Sequence, residues 1–196
     1  MEQNNRAKEQ RTAEALNIQT DRPNRLYGRM RLDNLGGRNS EMSAVSLYLY
    51  NSMVAYQHKE VAGVFRQIAV QEMQHMQAFG PIALQMGENP RLWSAGSRGE
   101  MVYWSPGYNK YARETHKLIS MANKSVKAAN EKYSRQQNQI QDDGIYIALQ
   151  QIIMEEQSHV EILTKLYRKY FVRARAESPQ KAGSALHPGL DFQIEG

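Results

Sequence analysis

The chain has 196 residues, a formal net charge of +5 and no cysteine. This length suffices for one hydrophobic core with some additional chain. The absence of cysteine excludes disulfide bonds, thiolate metal sites and cysteine nucleophiles, which leaves carboxylate and imidazole groups as metal ligands. No segment approaches the roughly 20 consecutive apolar residues of a membrane helix, and the first residues lack the apolar stretch of a secretory signal peptide. We therefore expect a cytoplasmic protein with one domain and two tails.

Residues 1–37 are predicted to form a basic arm. They contain Pro23, Gly36 and Gly37 and show little periodicity beyond a short helical pattern around Ala7–Leu16. A basic segment can bind nucleic acid, an acidic partner or another subunit. Interleaved acidic residues and the lack of an aromatic platform instead favour a solvated arm that does not bind nucleic acid.

Residues 38–172 are predicted to form a bundle of four helices. The first helix starts after Asn39 or Ser40, which are both good helix caps, and continues without glycine or proline to Gln57. A crossover rich in glycine, proline and serine, of roughly 20 residues, separates the second and third helices and is long enough to return along a bundle. Residues 173–196 lose periodicity and are predicted to be a carboxyl-terminal tail. The predicted helices cover residues 39–57, 60–86, 108–136 and 145–172.

Two of these helices carry an apolar stripe that polar residues interrupt. In the second helix, steps of four and three residues connect Val61, Phe65, Ile68, Glu72, His75, Phe79, Ile82 and Met86. In the fourth helix, the same steps connect Ile145, Leu149, Ile152, Glu156, His159, Leu163, Leu166 and Tyr170. The pattern Glu-x-x-His therefore occurs twice, at the same place in the same apolar repeat.

This placement favours metal binding. Residues three apart share one face of a helix, so Glu72 and His75 can bind one ion or two neighbouring ions, as can Glu156 and His159. A carboxylate in the middle of an apolar stripe is typical of an ion pair or a metal ligand. The alternative is a bundle in which the two histidines form hydrogen bonds with carboxylates and no ion is present.

A third carboxylate reaches the same level if consecutive helices are antiparallel. Glu41 lies as far before the turn near Gln57 as Glu72 lies beyond that turn. The same comparison in the second hairpin places Val126 level with Glu156. The following positions also match, with Ala44 and Tyr48 after Glu41 and with Ala129 and Tyr133 after Val126.

This layout resembles the ferritin-like di-iron and di-manganese carboxylate proteins, in which each hairpin gives one Glu and one Glu-x-x-His. More narrowly, four segments resemble small manganese-catalase-like proteins, including those of bacterial spore coats: NSEMSAVSLYLY, IAVQEMQHMQAFG, MGENPR and ANKSVKAANEKY. The resemblance covers roughly residues 35–170. It implies an all-α, ferritin-like antiparallel four-helix bundle with one long crossover.

The resemblance further implies one or two manganese or iron ions that disproportionate hydrogen peroxide. Glu72 would bridge two ions, and Glu156 would be either a ligand or a catalytic carboxylate that handles protons. Val126 stands where the family has another Glu ligand, so we expect the ion at Glu41, Glu72 and His75 to be better occupied than the second one. The implied metal ligands are Glu41, Glu72, His75, Glu156 and His159.

Other functions stay open at this point. The bundle is also suited to a structural or assembly protein of a coat or compartment, with the arm and tail binding neighbouring subunits and a location in the spore. An iron oxidase or storage subunit is a further alternative, although it would also need the missing carboxylate. We expect a homo-oligomer or coat partners bound through the tails. Ligand types alone do not separate manganese from iron, and Tyr48 and Tyr133 either pack in the bundle or handle protons.

Overall fold

The computed structural model describes residues 18–95 and 99–177, with side chains up to residue 171. Among these residues, no helix is both long and apolar enough to cross a membrane. The predicted helix around Ala7–Leu16 and residues 178–196 lie outside the described residues. The helices are α1 (Arg25–Gly36), α2 (Glu41–Val54), α3 (Lys59–Gln85), α4 (Thr115–Gln137) and α5 (Asp143–Glu177).

Two antiparallel helix pairs, α2 with α3 and α4 with α5, form the bundle, which confirms the predicted all-α fold. Ser40 caps α2, because its Oγ accepts a hydrogen bond of 3.3 Å from the Ser43 N–H. The helix α3 ends before Gly87, whose φ of 82° lies in the left-handed region that glycine adopts freely. The long crossover from α3 to α4 contains strands β1 (Trp93–Ala95) and β2 (Met101–Tyr103), which pair as an antiparallel hairpin, and a 3₁₀ helix (Pro106–Tyr108).

The core consists of two apolar clusters. One cluster gathers Phe79 and Tyr133 with apolar residues at the start of α5. The other gathers Tyr48 and Phe65 with apolar residues nearer the end of α5. The two Glu-x-x-His motifs fall between these clusters along α3 and α5, so the polar site lies between two apolar layers of the bundle.

The helix α1 differs from the sequence analysis, which predicted no helix at these positions of the arm. Asn24 caps it, with Oδ1 accepting hydrogen bonds from the N–H groups of Leu26 and Tyr27 at 3.0 and 3.3 Å. The helix lacks a continuous apolar stripe, because Arg31 is among its fully buried side chains. Its Nη2 donates a hydrogen bond of 2.7 Å to Oε1 of Gln136 in α4, and the guanidinium lies 5.4 Å from the centre of the Phe79 ring.

The helix α4 starts at Thr115, seven residues later than the sequence analysis predicted. The preceding loop is held by the start of α2 instead. Trp104 donates a hydrogen bond of 2.9 Å from Nε1 to the Ser43 Oγ, and Asn109 donates one of 3.0 Å from Nδ2 to the Ser43 carbonyl. The helix α5 continues to Glu177, within the predicted tail. The division of the chain into arm, bundle and tail stays a prediction.

Candidate metal centre

Three helices bring the five predicted metal ligands together inside the bundle. Glu41 is the first residue of α2, Glu72 and His75 lie on α3, and Glu156 and His159 lie on α5. Each of these side chains is at most 2% exposed. Burial of three carboxylates in one place is costly unless positive charge accompanies them.

The carboxylates Glu72 and Glu156 each face both histidines. The Nδ1 atom of His75 lies 3.0 Å from Glu72 Oε2 and 3.5 Å from Glu156 Oε1. The Nδ1 atom of His159 lies 3.3 Å from Glu72 Oε1 and 3.5 Å from Glu156 Oε2. Each carboxylate therefore offers one oxygen to the side of His75 and the other oxygen to the side of His159.

Glu41 completes one side of this arrangement. Its Oε2 lies 3.7 Å from His75 Nδ1. Ligand atoms of Glu41, Glu72, His75 and Glu156 all lie within 4.8 Å of one another. The structure thus places Glu156 in the same group as the three residues that the sequence analysis assigned to the better-occupied ion. In the described part of the chain, His159 has Glu72 and Glu156 beside it but no further buried carboxylate that corresponds to Glu41, so the two sides are unequal.

The donor set fits a manganese or iron ion. Glu156 Oε2 and His159 Nδ1 are buried and have no hydrogen-bond partner. Buried polar atoms without partners are rare and costly, and a cation between these two atoms would bind both. Carboxylate and imidazole groups are ligands that both metals accept.

Val126 lies at the same site, as the sequence analysis predicted from the hairpin register. Its side chain is 2% exposed and lines a cavity together with Glu41, Glu72 and Glu156. A valine side chain has no ligand atom. Glu131 does not replace it, because its side chain is 72% exposed and lies 4.0 Å from Arg135.

The model of the rubrerythrin family matches residues 38–167. The chain belongs to the rubrerythrin family. The matched segment contains all five candidate ligands and both Glu-x-x-His motifs. No curated protein matches this chain.

Solved structures share the fold of this rubrerythrin-family chain. The manganese catalase KatB from Anabaena has a TM-score of 0.70 at 16% identity, covering 88% of this chain and 83% of that protein. The bacterioferritin of Rhodobacter capsulatus has a TM-score of 0.66 at 15% identity, covering 83% of this chain and 100% of that protein. A dodecameric thioferritin, the bacterioferritin-related protein from Bacteroides fragilis, has a TM-score of 0.61 at 17% identity, covering 87% and 99%. These likenesses establish the ferritin-like fold.

The two histidines are oriented by residues that the sequence analysis did not single out. The His75 Nε2 lies 2.9 Å from Glu155 Oε2, and the His159 Nε2 lies 3.0 Å from Gln71 Oε1. With Nε2 protonated, each ring donates to that oxygen and turns Nδ1 towards the carboxylates. Gln71 and Glu155 each precede the Glu of one motif and contact the histidine of the other. Their position directly before each Glu-x-x-His motif is the one feature of the sequence that could have identified these two residues.

Tyr133 holds Glu41 in place. Its hydroxyl donates a hydrogen bond of 2.5 Å to Glu41 Oε1, and its ring lies 5.5 Å from that of Phe79. Tyr48 is also fully buried and stacks on Phe65 at 5.9 Å. Burial, together with the nearby carboxylates, raises the pKa of both tyrosines well above 10.0. Both hydroxyls therefore stay neutral, and Tyr133 acts as a hydrogen-bond donor.

The charges of the centre are balanced by protons when no cation is bound. Burial and the neighbouring Glu72 raise the pKa of Glu41 to about 8. Burial lowers the pKa of His159, but Glu156 and Glu72 outweigh it and raise the pKa to about 9. Burial likewise opposes protonation of His75, and its four carboxylate neighbours raise that pKa well above 6.5. A metal ion replaces such protons when it binds.

Replacing Tyr133 with Phe tests its role in holding Glu41. We expect the affinity for manganese or iron to fall about 10- to 100-fold, the usual effect of removing a group that orients a ligand. Competition with a chelator of known affinity measures this change. The matched control is Tyr56→Phe, because the Tyr56 side chain is 69% exposed and its hydroxyl accepts a hydrogen bond from the neighbouring Gln57. Equal affinities in Tyr133→Phe and the wild type would contradict the assignment.

Proposed function

We propose that this chain disproportionates hydrogen peroxide at a centre of two manganese or iron ions. The ions would be held by Glu41, Glu72, His75, Glu156 and His159. The observation that carries the proposal is the placement of Glu72 and Glu156, each with one oxygen towards each histidine. With this placement, both carboxylates would have an oxygen available for an ion on either side. The likeness of the fold to a manganese catalase agrees with the proposal.

The bound ions would supply the exchange of two electrons by which one peroxide molecule is oxidised to dioxygen and a second is reduced to water. Oxidation of peroxide releases two protons, and reduction of the second molecule takes up two. Glu156 Oε2 is buried without a hydrogen-bond partner, so, as the alternative to binding an ion through this oxygen, Glu156 would hold one of these protons between the two half-reactions. Tyr133 keeps Glu41 in its orientation throughout.

Oxygen evolution from hydrogen peroxide tests this function. The protein is stripped of metal, reloaded with manganese or iron, and assayed with an oxygen electrode. We expect oxygen release from the loaded wild type, with none from the stripped protein above the rate of free metal. Glu72→Gln treated in the same way serves as the control. A loaded wild type that releases no more oxygen than this variant would contradict the proposal.

We also propose that a second copy of the chain covers the outer face of α3 and α5. Between Gln67 and Gly87, Glu72 and His75 are the only acidic or basic residues, and both are buried. The contact between His75 and Glu155 fixes the register of this antiparallel pair. Leu84 lies nine residues after His75, and Ile147 lies eight residues before Glu155. Leu84 and Ile147 are therefore at about the same height along the two helices. The face carries Val70, Leu84, Ile147 and Met154, which are 47%, 60%, 64% and 61% exposed.

Lysines at this face test the homo-oligomer. We expect the double variant Leu84→Lys, Ile147→Lys to have a smaller mass in solution than the wild type, because burying charged groups in an apolar contact is costly. Size-exclusion chromatography with light scattering measures the mass. Met53→Lys on α2, where the native side chain is 65% exposed, is the matched control. Equal masses for all three proteins would contradict this interface.

The other predicted roles rest on segments that lie partly outside the described residues. Assembly into a coat or compartment through the arm and tail depends on residues 1–37 and 173–196, of which 1–17 and 178–196 lie outside the described residues. The cytoplasmic and spore locations also stay predictions. An iron oxidase or storage function would use the same ligands, and the assay of peroxide disproportionation separates it from the function proposed above.

A further inference from the structure

A cavity leads from the protein surface to the candidate metal centre. Its volume is about 400 Å³, and the buried carboxylates of Glu41, Glu72 and Glu156 line its inner part. Neither His75 nor His159 lines it. Sites for small molecules have volumes of about 300–1,000 Å³, so the cavity is large enough for more than a peroxide molecule.

One wall of the cavity is apolar. Next to the carboxylates it is formed by Val126 and Ala129 of α4 and by Ala44 and Leu47 of α2. These side chains offer no hydrogen-bond donor and no metal ligand. A molecule that binds here therefore contacts hydrocarbon along its body. One end of this molecule would face the ions held by the carboxylates.

The outer rim of the cavity is positively charged. Arg38, Lys110 and Lys124 line it and are exposed. The Arg38 guanidinium lies 4.8 Å from the centre of the Tyr108 ring, which is also part of the lining. No acidic residue other than the three buried glutamates lines the cavity. A rim of one charge sign attracts molecules of the opposite sign.

We propose that the metal-loaded centre binds a small organic carboxylate through this cavity. This inference rests on the function proposed above, because without cations the inner carboxylates repel an anion. With ions bound, that repulsion is neutralised, and the side facing Val126 has no ligand from the protein. A carboxylate oxygen suits manganese and iron, and the apolar wall accommodates a hydrocarbon body. Inorganic phosphate has no such body, so the cavity favours an organic acid.

Titration of the cobalt-loaded protein with acetate and butyrate tests this site. Cobalt(II) takes the same ligand types, and its visible absorption changes when a new ligand binds. We expect both acids to change the spectrum of the wild type. Butyrate should bind about tenfold more tightly than acetate, because it buries two more methylene groups against the apolar wall. The metal-free protein should bind neither acid in calorimetry.

Two variants at one position provide the decisive comparison. Val126→Glu places a carboxylate of the chain where the acid would bind, and we expect its spectrum not to respond to butyrate. Val126→Ala leaves the position without a ligand, and we expect its spectrum to respond to butyrate, with a weaker affinity than the wild type because the apolar wall loses two methyl groups. Lys124→Gln, on the exposed rim, does not disturb the core and should weaken butyrate binding by about threefold at low salt and less at high salt.

The outcomes separate this inference from the proposed function. A wild type that binds cobalt but does not respond to either acid would overturn the inference and leave the metal centre standing. A folded Val126→Glu variant that responds to butyrate as strongly as Val126→Ala would also overturn it. A wild type that binds no cobalt, manganese or iron would overturn the proposed function and this inference with it.

Discussion

Glu72→Gln is expected to abolish metal retention while the bundle stays folded. Glu72 is the only residue within 3.3 Å of the Nδ1 atoms of both histidines in the described part of the chain, so both ions would lose a charged ligand. The change keeps the shape of the side chain and removes its negative charge. It also removes repulsion between buried carboxylates, since Glu72 raises the pKa of Glu41. We therefore expect no loss of helical content.

Metal content after gel filtration measures this effect, and circular dichroism checks the fold. The matched control is Glu131→Gln, because Glu131 is exposed and contacts only Arg135 among the ion pairs. We expect the control to retain as much manganese or iron as the wild type. Unchanged metal content in Glu72→Gln would rule out the assigned centre.

Glu156→Gln is expected to keep most of the bound metal and to lose most of the activity. The amide oxygen of Gln remains a neutral ligand, and the four other ligand residues are unchanged. The amide cannot take up a proton at this position, whereas Glu156 Oε2 is buried and unpaired. General acid-base catalysis contributes about 10²- to 10⁴-fold to rates, so kcat for peroxide disproportionation should fall by that factor.

Steady-state oxygen release, normalised to the metal content of each protein, measures this change. Glu161→Gln is the matched control, because it lies on the same helix with an exposed side chain. A kcat in Glu156→Gln equal to that of the wild type would show that Glu156 handles no proton. A large loss of metal would instead show that the ions need the negative charge of Glu156. Glu156 would then be a ligand, which is the other role that the resemblance implies.

The sequence predicted that the candidate ligands lie close together, because helix geometry fixes their relative positions. Residues three apart lie on one face, which places Glu72 beside His75 and Glu156 beside His159. The turn between α2 and α3 is short, so the register of this pair follows from counting outward from it, and counting identified Glu41. The same counting brought Val126 to the site. Each of these residues is buried where the pattern expected it.

Counting from a turn does not predict contacts between helices that are not consecutive in the sequence. Gln71 and Glu155 orient the histidines across the pair α3 and α5, whose register no turn fixes. The helix α1 was missed for a related reason. Its buried Arg31 looks like an exposed residue in the sequence, and the residues that it contacts, Gln136 and Phe79, lie 105 and 48 residues further on. Partners so distant leave no periodic signal.

Elemental analysis of the purified protein tests the metal centre most directly. The untagged wild type is compared with Glu72→Gln after both are dialysed against a buffer that contains a weak chelator. We expect between one and two manganese or iron ions per chain in the wild type and almost none in the variant. A wild type that contains neither manganese nor iron, even after reloading with either metal, would contradict a metal centre at these residues.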